Sequence, residues 1–150
     1  MNEALLGAGC FWGIEEYFRK INGINKTLVG YSGGHTENPS YEKICAGNTE
    51  HVEVVKIDFD ESIISYQLIL EHFWQCHDPT QVDKQGPDVG RQYRSVIFYY
   101  NENQKNLATL SKNEKQKFFS KQIATHISEA KKFYLAEEYH QQFIQKRKLT

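Results

Sequence analysis

Apolar and polar positions in this chain follow two periods, and the places where one gives way to the other divide it into elements. Over residues 51–59, His-Val-Glu-Val-Val-Lys-Ile-Asp-Phe, the period is two. Glu53, Val55, Ile57 and Phe59 then share one face of a strand, and Val52, Val54, Lys56 and Asp58 the other. Short runs at 4–8 and 24–31 also read as strands, the second closed by Ser32-Gly33-Gly34. Residues 93–100, Tyr-Arg-Ser-Val-Ile-Phe-Tyr-Tyr, are rich in β-formers, and 123–128 suggest one more strand. Helices are predicted over 11–20, 66–76 and 136–147, with Leu70, Phe73 and Trp74 among the apolar positions of the second. A charged surface helix is expected over 103–119 and a short helix at 41–45. Asn22-Gly23 and residues 60–62 are turn signals. A polar stretch containing Pro and Gly runs from His77 to Gln92, and loops of that length in compact domains are often functional. Strands alternate with helices and no linker or repeat interrupts them. One domain over 1–150 is therefore expected, an α/β or α+β two-layer sandwich whose strand order the pattern does not encode.

Charge narrows the partners. The net charge is −1 over 150 residues, with both signs mixed along the chain. Nucleic acid and anionic membrane call for a basic excess, so neither is expected as a partner. The basic end at Lys146, Arg147 and Lys148 reads as a solvated tail. No apolar run approaches the roughly 20 residues of a membrane span, and no secretion signal is visible. Three cysteines make no disulfide framework, which fits a reducing, cytoplasmic setting.

The chemistry centres on Gly9-Cys10-Phe11-Trp12-Gly13. It places a thiol where a strand gives way to a helix. Unpaired backbone N–H groups and the positive end of the helix dipole favour a thiolate there. The two adjacent rings would give that sulfur an apolar, shape-selective pocket. The alternative is a buried cysteine packing as a small hydrophobe. Glu53 shares its strand face with three apolar side chains. If that face is buried, desolvation raises the carboxyl pKa and makes it a general acid near neutral pH. A wet position at the strand mouth is the alternative. Tyr41, Tyr93 and Asp88 lie in or beside loops, where their donors could converge on one oxygen, or serve as rim and turn residues. His51, two residues before Glu53, would with Cys10 suggest acyl transfer. His77-Asp78-Pro79 reads as a cap and turn after a helix. Adjacent Cys76-His77 is a poor zinc geometry, so no metal site is expected.

These motifs together resemble the A-type peptide methionine sulfoxide reductase family. The resemblance rests on Gly9-Cys10-Phe11-Trp12-Gly13, Gly30-Tyr31-Ser32-Gly33-Gly34, Asn38-Pro39-Ser40-Tyr41, Cys45-Ala46-Gly47 and His51-Val52-Glu53. Phe73-Trp74, His77-Asp78-Pro79, the loop Gln85–Gly90 leading to Gln92-Tyr93-Arg94-Ser95, and the segment Phe133–Gln141 complete it. It spans nearly the whole chain. It implies an α+β fold, a two-layer α/β sandwich around a mixed sheet. It implies reduction of methionine S-sulfoxide, free or in proteins, and hence repair after oxidation. Cys10 would be the nucleophile, Phe11 and Trp12 the walls for the S-methyl group, and Glu53 the proton donor to the sulfoxide oxygen. Tyr41 and Tyr93 would bond that oxygen, with Asp88 in support. No metal or organic cofactor is implied, and a monomer is expected.

In this family many members resolve the cysteine sulfenic acid with a cysteine in a Gly-rich C-terminal tail. Here no cysteine follows Cys76, and the chain ends Gln145-Lys146-Arg147-Lys148-Leu149-Thr150. Recycling by an external thiol (thioredoxin, glutaredoxin or glutathione) is therefore expected. Cys45 is the better internal candidate, because a short helix puts it on the face of Tyr41. A buried structural role is the expectation for Cys45, and packing for Cys76. Two other readings stay open: a module that binds oxidised methionine without turnover, and a Cys–His acyl-transfer enzyme.

Overall fold

The computed structural model describes residues 2–47 and 49–148. In chain order its elements are β1 (Asn2–Gly7), α1 (Phe11–Arg19), β2 (Ile24–Ser32), α2 (Tyr41–Cys45), β3 (Val52–Phe59) and α3 (Tyr66–Gln75). A two-residue hairpin follows, β4 (Lys84–Gln85) and β5 (Asp88–Val89). Then come a 3-10 turn at Arg91–Tyr93, β6 (Val96–Tyr99), α4 (Glu102–Gln116), β7 (His126–Glu129) and β8 (Tyr134–Leu135). A second 3-10 turn at Glu138–His140 leads into α5 (Phe143–Lys148).

Six strands form one sheet in the order β7-β6-β1-β3-β2-β8. Every pairing in it is antiparallel except β6 with β7, which the α4 crossover makes parallel, so the sheet is mixed. The alternation read from residues 51–59 holds in space. Val55, Ile57 and Phe59 join the main core with Phe11, Ile14 and Phe18 of α1 and Ile69, Leu70 and Phe73 of α3. Val52 and Val54 turn to the opposite face, into a smaller cluster with Leu5, Val96 and Phe98. α3 buries Tyr66, Ile69, Leu70, Phe73 and Trp74, a spacing that lays one helical stripe on the sheet. The charged α4 buries only Gln104 and Ala108, and Trp74 Nε1 donates to its Ser111 Oγ at 2.8 Å. No helix among the described residues is long and apolar enough to cross a membrane.

Three predicted elements shift. The strand expected over 93–100 begins at Val96, because Arg91–Tyr93 closes a 3-10 turn that leaves Tyr93 in the loop. The strand expected at 123–128 is His126–Glu129. The helix expected over 136–147 is broken. Gln141 uses its side chain as a strand would, accepting from Val29 N at 2.9 Å and donating to Val29 O at 2.9 Å. Gln142 then adopts φ 50°, and only Phe143–Lys148 is α-helical. Lys146 and Arg147 thus belong to a helix rather than a free tail.

Edge strand β8 docks on β2 at Gly30, opposite Leu135. A Cβ at Gly30 would sit 2.4 Å from Tyr134 O and 2.5 Å from the Phe133 ring. Gly30→Ala is expected to cost about 1–3 kcal/mol by overpacking. A lower urea midpoint at unchanged slope would report it, and an unchanged midpoint would contradict the close approach.

Candidate functional site

Cys10 occupies the N-cap of α1. The chain leaves β1, turns at Gly9 with φ +103°, and places Cys10 at φ −56°, ψ 122°. A side chain at position 9 would lie 2.8 Å from Gln85, which closes over this turn. The N-termini of α2, α3 and α4 are capped by Ser40, Ser65 and Asn101, as preference dictates. No side chain caps α1. Its first N–H groups have other uses: Phe11 N donates to Glu53 Oε1 at 3.2 Å, and the N–H groups of Trp12 and Gly13 favour the charged form of the Cys10 sulfur.

Glu53 is 1% exposed, on the helix-covered face of β3 and in register with Tyr31 of β2. Its Oε1 takes the Phe11 N–H, while Oε2 is buried with no hydrogen-bond partner. An orphaned buried carboxyl oxygen is costly, and far costlier when charged. Burial accordingly pushes the Glu53 pKa up to about 8; the Phe11 N–H opposes this and Asp88 adds to it. Glu53 carries its proton at neutral pH. The wet-mouth alternative does not hold.

The same burial acts on Cys10, against expectation. The thiol of Cys10 is pushed up to about 11 by desolvation, with Glu53 and Asp88 adding to the effect and the Trp12 and Gly13 N–H groups opposing it. Helix-start geometry is present, but desolvation and two carboxyls outweigh it. Cys10 therefore rests as a partly exposed thiol, not a thiolate. Tyr93 is pushed up to about 12 by burial and by the charges of Glu53, Asp88, Cys45 and Cys10. Tyr41 is raised by burial, by its hydrogen bond with Cys45, and by Tyr93 and Glu53. The structure thus gathers Cys10, Glu53, Tyr41, Tyr93 and Asp88 around one spot. Both tyrosines keep their protons and can donate them as hydrogen bonds.

The aromatic wall is completed by His140 and Phe143, more than a hundred positions away. Phe11 is buried against Tyr31 and His140, at 5.7 and 5.2 Å between ring centres. Trp12 stacks on Phe143 at 3.9 Å, and its Nε1–H donates to His140 Nδ1 at 2.9 Å. With Nδ1 accepting, the His140 proton sits on Nε2; burial lowers the ring's pKa and keeps it neutral. Glu137 accepts from Tyr31 Oη at 3.0 Å and from Tyr41 N at 3.1 Å, tying the first turn of α2 to the same strap. Glu15, 1% exposed, holds the strap from below by accepting from Gln142 N and Thr27 Oγ1. Losing the Trp12–His140 bond should cost about 1.4 kcal/mol of pocket order. His140→Ala is expected to raise KM about tenfold while changing kcat less. An unchanged KM would show that Trp12 needs no such support.

A family model for peptide methionine sulfoxide reductase matches residues 2–150. The chain belongs to this family. It is 52% identical over 149 residues to the peptide methionine sulfoxide reductase MsrA of Methanosarcina acetivorans, covering 98% of this chain and 79% of that one. Among solved structures it resembles reduced Mxr1 from Saccharomyces cerevisiae, with a TM-score of 0.94, 34% identity, and coverage of 99% of this chain and 87% of that one. Mxr1 in complex with Trx2 also matches, with a TM-score of 0.69, 26% identity, and coverage of 93% and 83%.

Within this peptide methionine sulfoxide reductase the other candidates sort themselves. Both nitrogens of His51 bond loop backbone, Nδ1 accepting from Gly34 N at 3.0 Å and Nε2 meeting Thr36 O at 2.8 Å. His51 has no nitrogen left to act as a base for Cys10, so the acyl-transfer reading fails. Asp78 Oδ1 accepts from Thr80 N and Oγ1, the expected turn, while half-buried His77 bonds Phe73 O and Ser95 Oγ. Cys76 donates to Phe73 O and packs as expected. Cys45 departs from its expected burial: it is exposed, beside Tyr41. Roles for His140, Phe143 and Glu137 were not legible locally. Glu137 and His140 lay in the Phe133–Gln141 motif segment, and Phe143 only in the helix expected over 136–147.

Proposed function

We propose that this protein reduces methionine S-sulfoxide, free or within proteins, by attack of Cys10 on the sulfoxide sulfur and protonation of the oxygen by Glu53. The observation that carries this is the buried Glu53 Oε2, without a partner and with its carboxyl pushed up to about 8, beside a reachable thiol. A sulfoxide oxygen leaves only once protonated, so an acid held neutral at pH 7 is what the reaction needs.

The atoms balance without a cofactor. The Cys10 sulfur bonds the sulfoxide sulfur as Glu53 gives its proton to the oxygen, and the resulting carboxylate takes the thiol proton. Tyr41 and Tyr93 donate hydrogen bonds to the oxygen as charge builds on it, and Asp88 orders the polar side of the niche. Transfer of the hydroxyl to Cys10 leaves a thioether and a Cys10 sulfenic acid. Phe11 and Trp12 take the S-methyl group. Methyl, oxygen and attacking sulfur are then all fixed around a stereogenic sulfur, so one epimer is selected.

An external thiol attacks the sulfenic acid with loss of water, and a second thiol releases Cys10 as a disulfide leaves. The relative solved with Trx2 supports a thioredoxin in this step, and a reducing cytoplasm would also supply glutaredoxin or glutathione. A monomer suffices, since every site residue comes from one chain. The test is a single turnover without reductant: one methionine released per chain, and a dimedone adduct on Cys10. A mere binder of oxidised methionine would release none. Cys45→Ser and Cys76→Ser are each expected to leave thiol-dependent turnover largely unaltered. Mass mapping of an obligatory Cys10–Cys45 disulfide would overturn that expectation.

A further inference from the structure

On the sheet face opposite α1 and α3, beside the loop that carries Tyr93, lies a cavity of about 280 Å³ that the reductase chemistry does not use. Its floor is apolar, made by Val96 and Phe98 of the smaller core cluster. Its walls carry Arg91, Arg94, His126, Lys131 and the Ser128 hydroxyl, against one carboxylate, Glu129. Arg91 is offset by Glu50 and Asp83, which leaves Arg94 and Lys131 set against Glu129.

Arg94 is the telling member. Its side chain is partly buried, and its Nη1 and Nη2 donate to two backbone carbonyls, Arg91 O and Glu50 O, each at 2.9 Å. No carboxylate among the described residues lies within ion-pair distance of it. Arg91, by contrast, pairs with Glu50 at 2.9 Å and Asp83 at 4.0 Å. The side chains of Lys131 and His126 have no hydrogen-bond or ion-pair partner among the described residues. Burial and the neighbouring Arg91 disfavour the Arg94 charge, and the carboxylates that offset it, Glu50 and Asp83, are the ones already paired with Arg91. The remaining N–H groups of Arg94 face a space walled by further donors.

We propose that this cavity is a binding site for a phosphoryl group, held by Arg94 and Lys131 with help from His126, Ser128 and Arg91. Donors converging from several directions suit a tetrahedral dianion better than a planar carboxylate, and guanidinium groups match its oxygens in pairs. The cavity is larger than the anion, leaving room over Val96 and Phe98 for the group that bears it.

Amide chemical shifts of Gly33, Ser128 and Lys131 during titration with inorganic phosphate, at constant ionic strength, read the site directly. Saturable shifts are expected, with acetate binding more weakly. Lys131→Glu, at an exposed position, should weaken phosphate at least about tenfold while the remaining spectrum is preserved. Lys131→Gln should fall between the two. O-phosphoserine, free and within a short peptide, then distinguishes the source: tighter binding of the free amino acid points to a small phosphorylated molecule, and tighter binding of the peptide to a phosphorylated chain. Shifts no larger than chloride produces, or unchanged affinity in Lys131→Glu, would overturn the proposal. None of these readouts depends on reductase activity.

Discussion

Cys10→Ser is expected to abolish methionine release, by about 10⁴-fold or more. A hydroxyl is a far weaker nucleophile than a thiol at the sulfoxide sulfur, and its product would be a peroxide-like oxygen with no route back to the resting state. The fold should survive for a local reason. Position 10 is the N-cap of α1, and serine is among the best N-cap residues. The thermal midpoint is therefore expected to hold or rise slightly while activity disappears. The measurement pairs a melting curve with single-turnover reduction of methyl p-tolyl sulfoxide. Full turnover by the serine variant would remove Cys10 from the mechanism.

Glu53→Gln should slow the sulfoxide step by about 10²–10⁴-fold while leaving substrate affinity comparatively intact. Glutamine keeps an acceptor for Phe11 N and a donor in place of Oε2, but it has no proton to transfer. The pH dependence separates this from a packing effect. Below about 8 Glu53 holds its proton, and Cys10 holds its own up to about 11. The first proton lost as pH rises is thus the one destined for the oxygen. The single-turnover rate should be level through pH 7 and fall above 8, and the glutamine variant should lack that fall. A rate that instead climbed toward pH 8 would mean that a thiolate paired with a protonated Glu53 is the reacting form. Stability depends on the same proton. A folded-state pKa raised above the unfolded value means that the folded chain binds the extra proton in between, so stability declines as pH rises from about 4.5 to about 8. Glutamine removes that decline, and its melting temperature should exceed that of the native protein near pH 8.

How much of this was legible beforehand depends on how local the cause is. The face shared by Glu53, Val55, Ile57 and Phe59 follows from a period of two and was recovered as read. The strand–turn–helix at Gly7–Phe11 needs only Gly9 and the apolar spacing after it. The loop before β6 was misread by three residues, because Tyr93 is a β-former by composition, yet it closes a 3-10 turn while Arg94 caps carbonyls. The predicted helix over 136–147 failed because Gln141 finds its partners on β2, more than a hundred residues earlier.

The sequence by itself determined which chemistry was on offer: a thiol at a helix start, a carboxyl among apolar neighbours, tyrosines in loops and an ordered set of family motifs. Tertiary structure alone decided the protonation states. Desolvation is a property of the surroundings, and no spacing of residues announces how much water a fold removes. It left Glu53 holding a proton, as hoped, and left Cys10 a thiol where the helix dipole alone would have favoured a thiolate. It also chose His140, Phe143 and Glu137 as the props of the pocket. Their contacts with Trp12, Tyr31 and Tyr41 exist only once the C-terminal strap crosses β2.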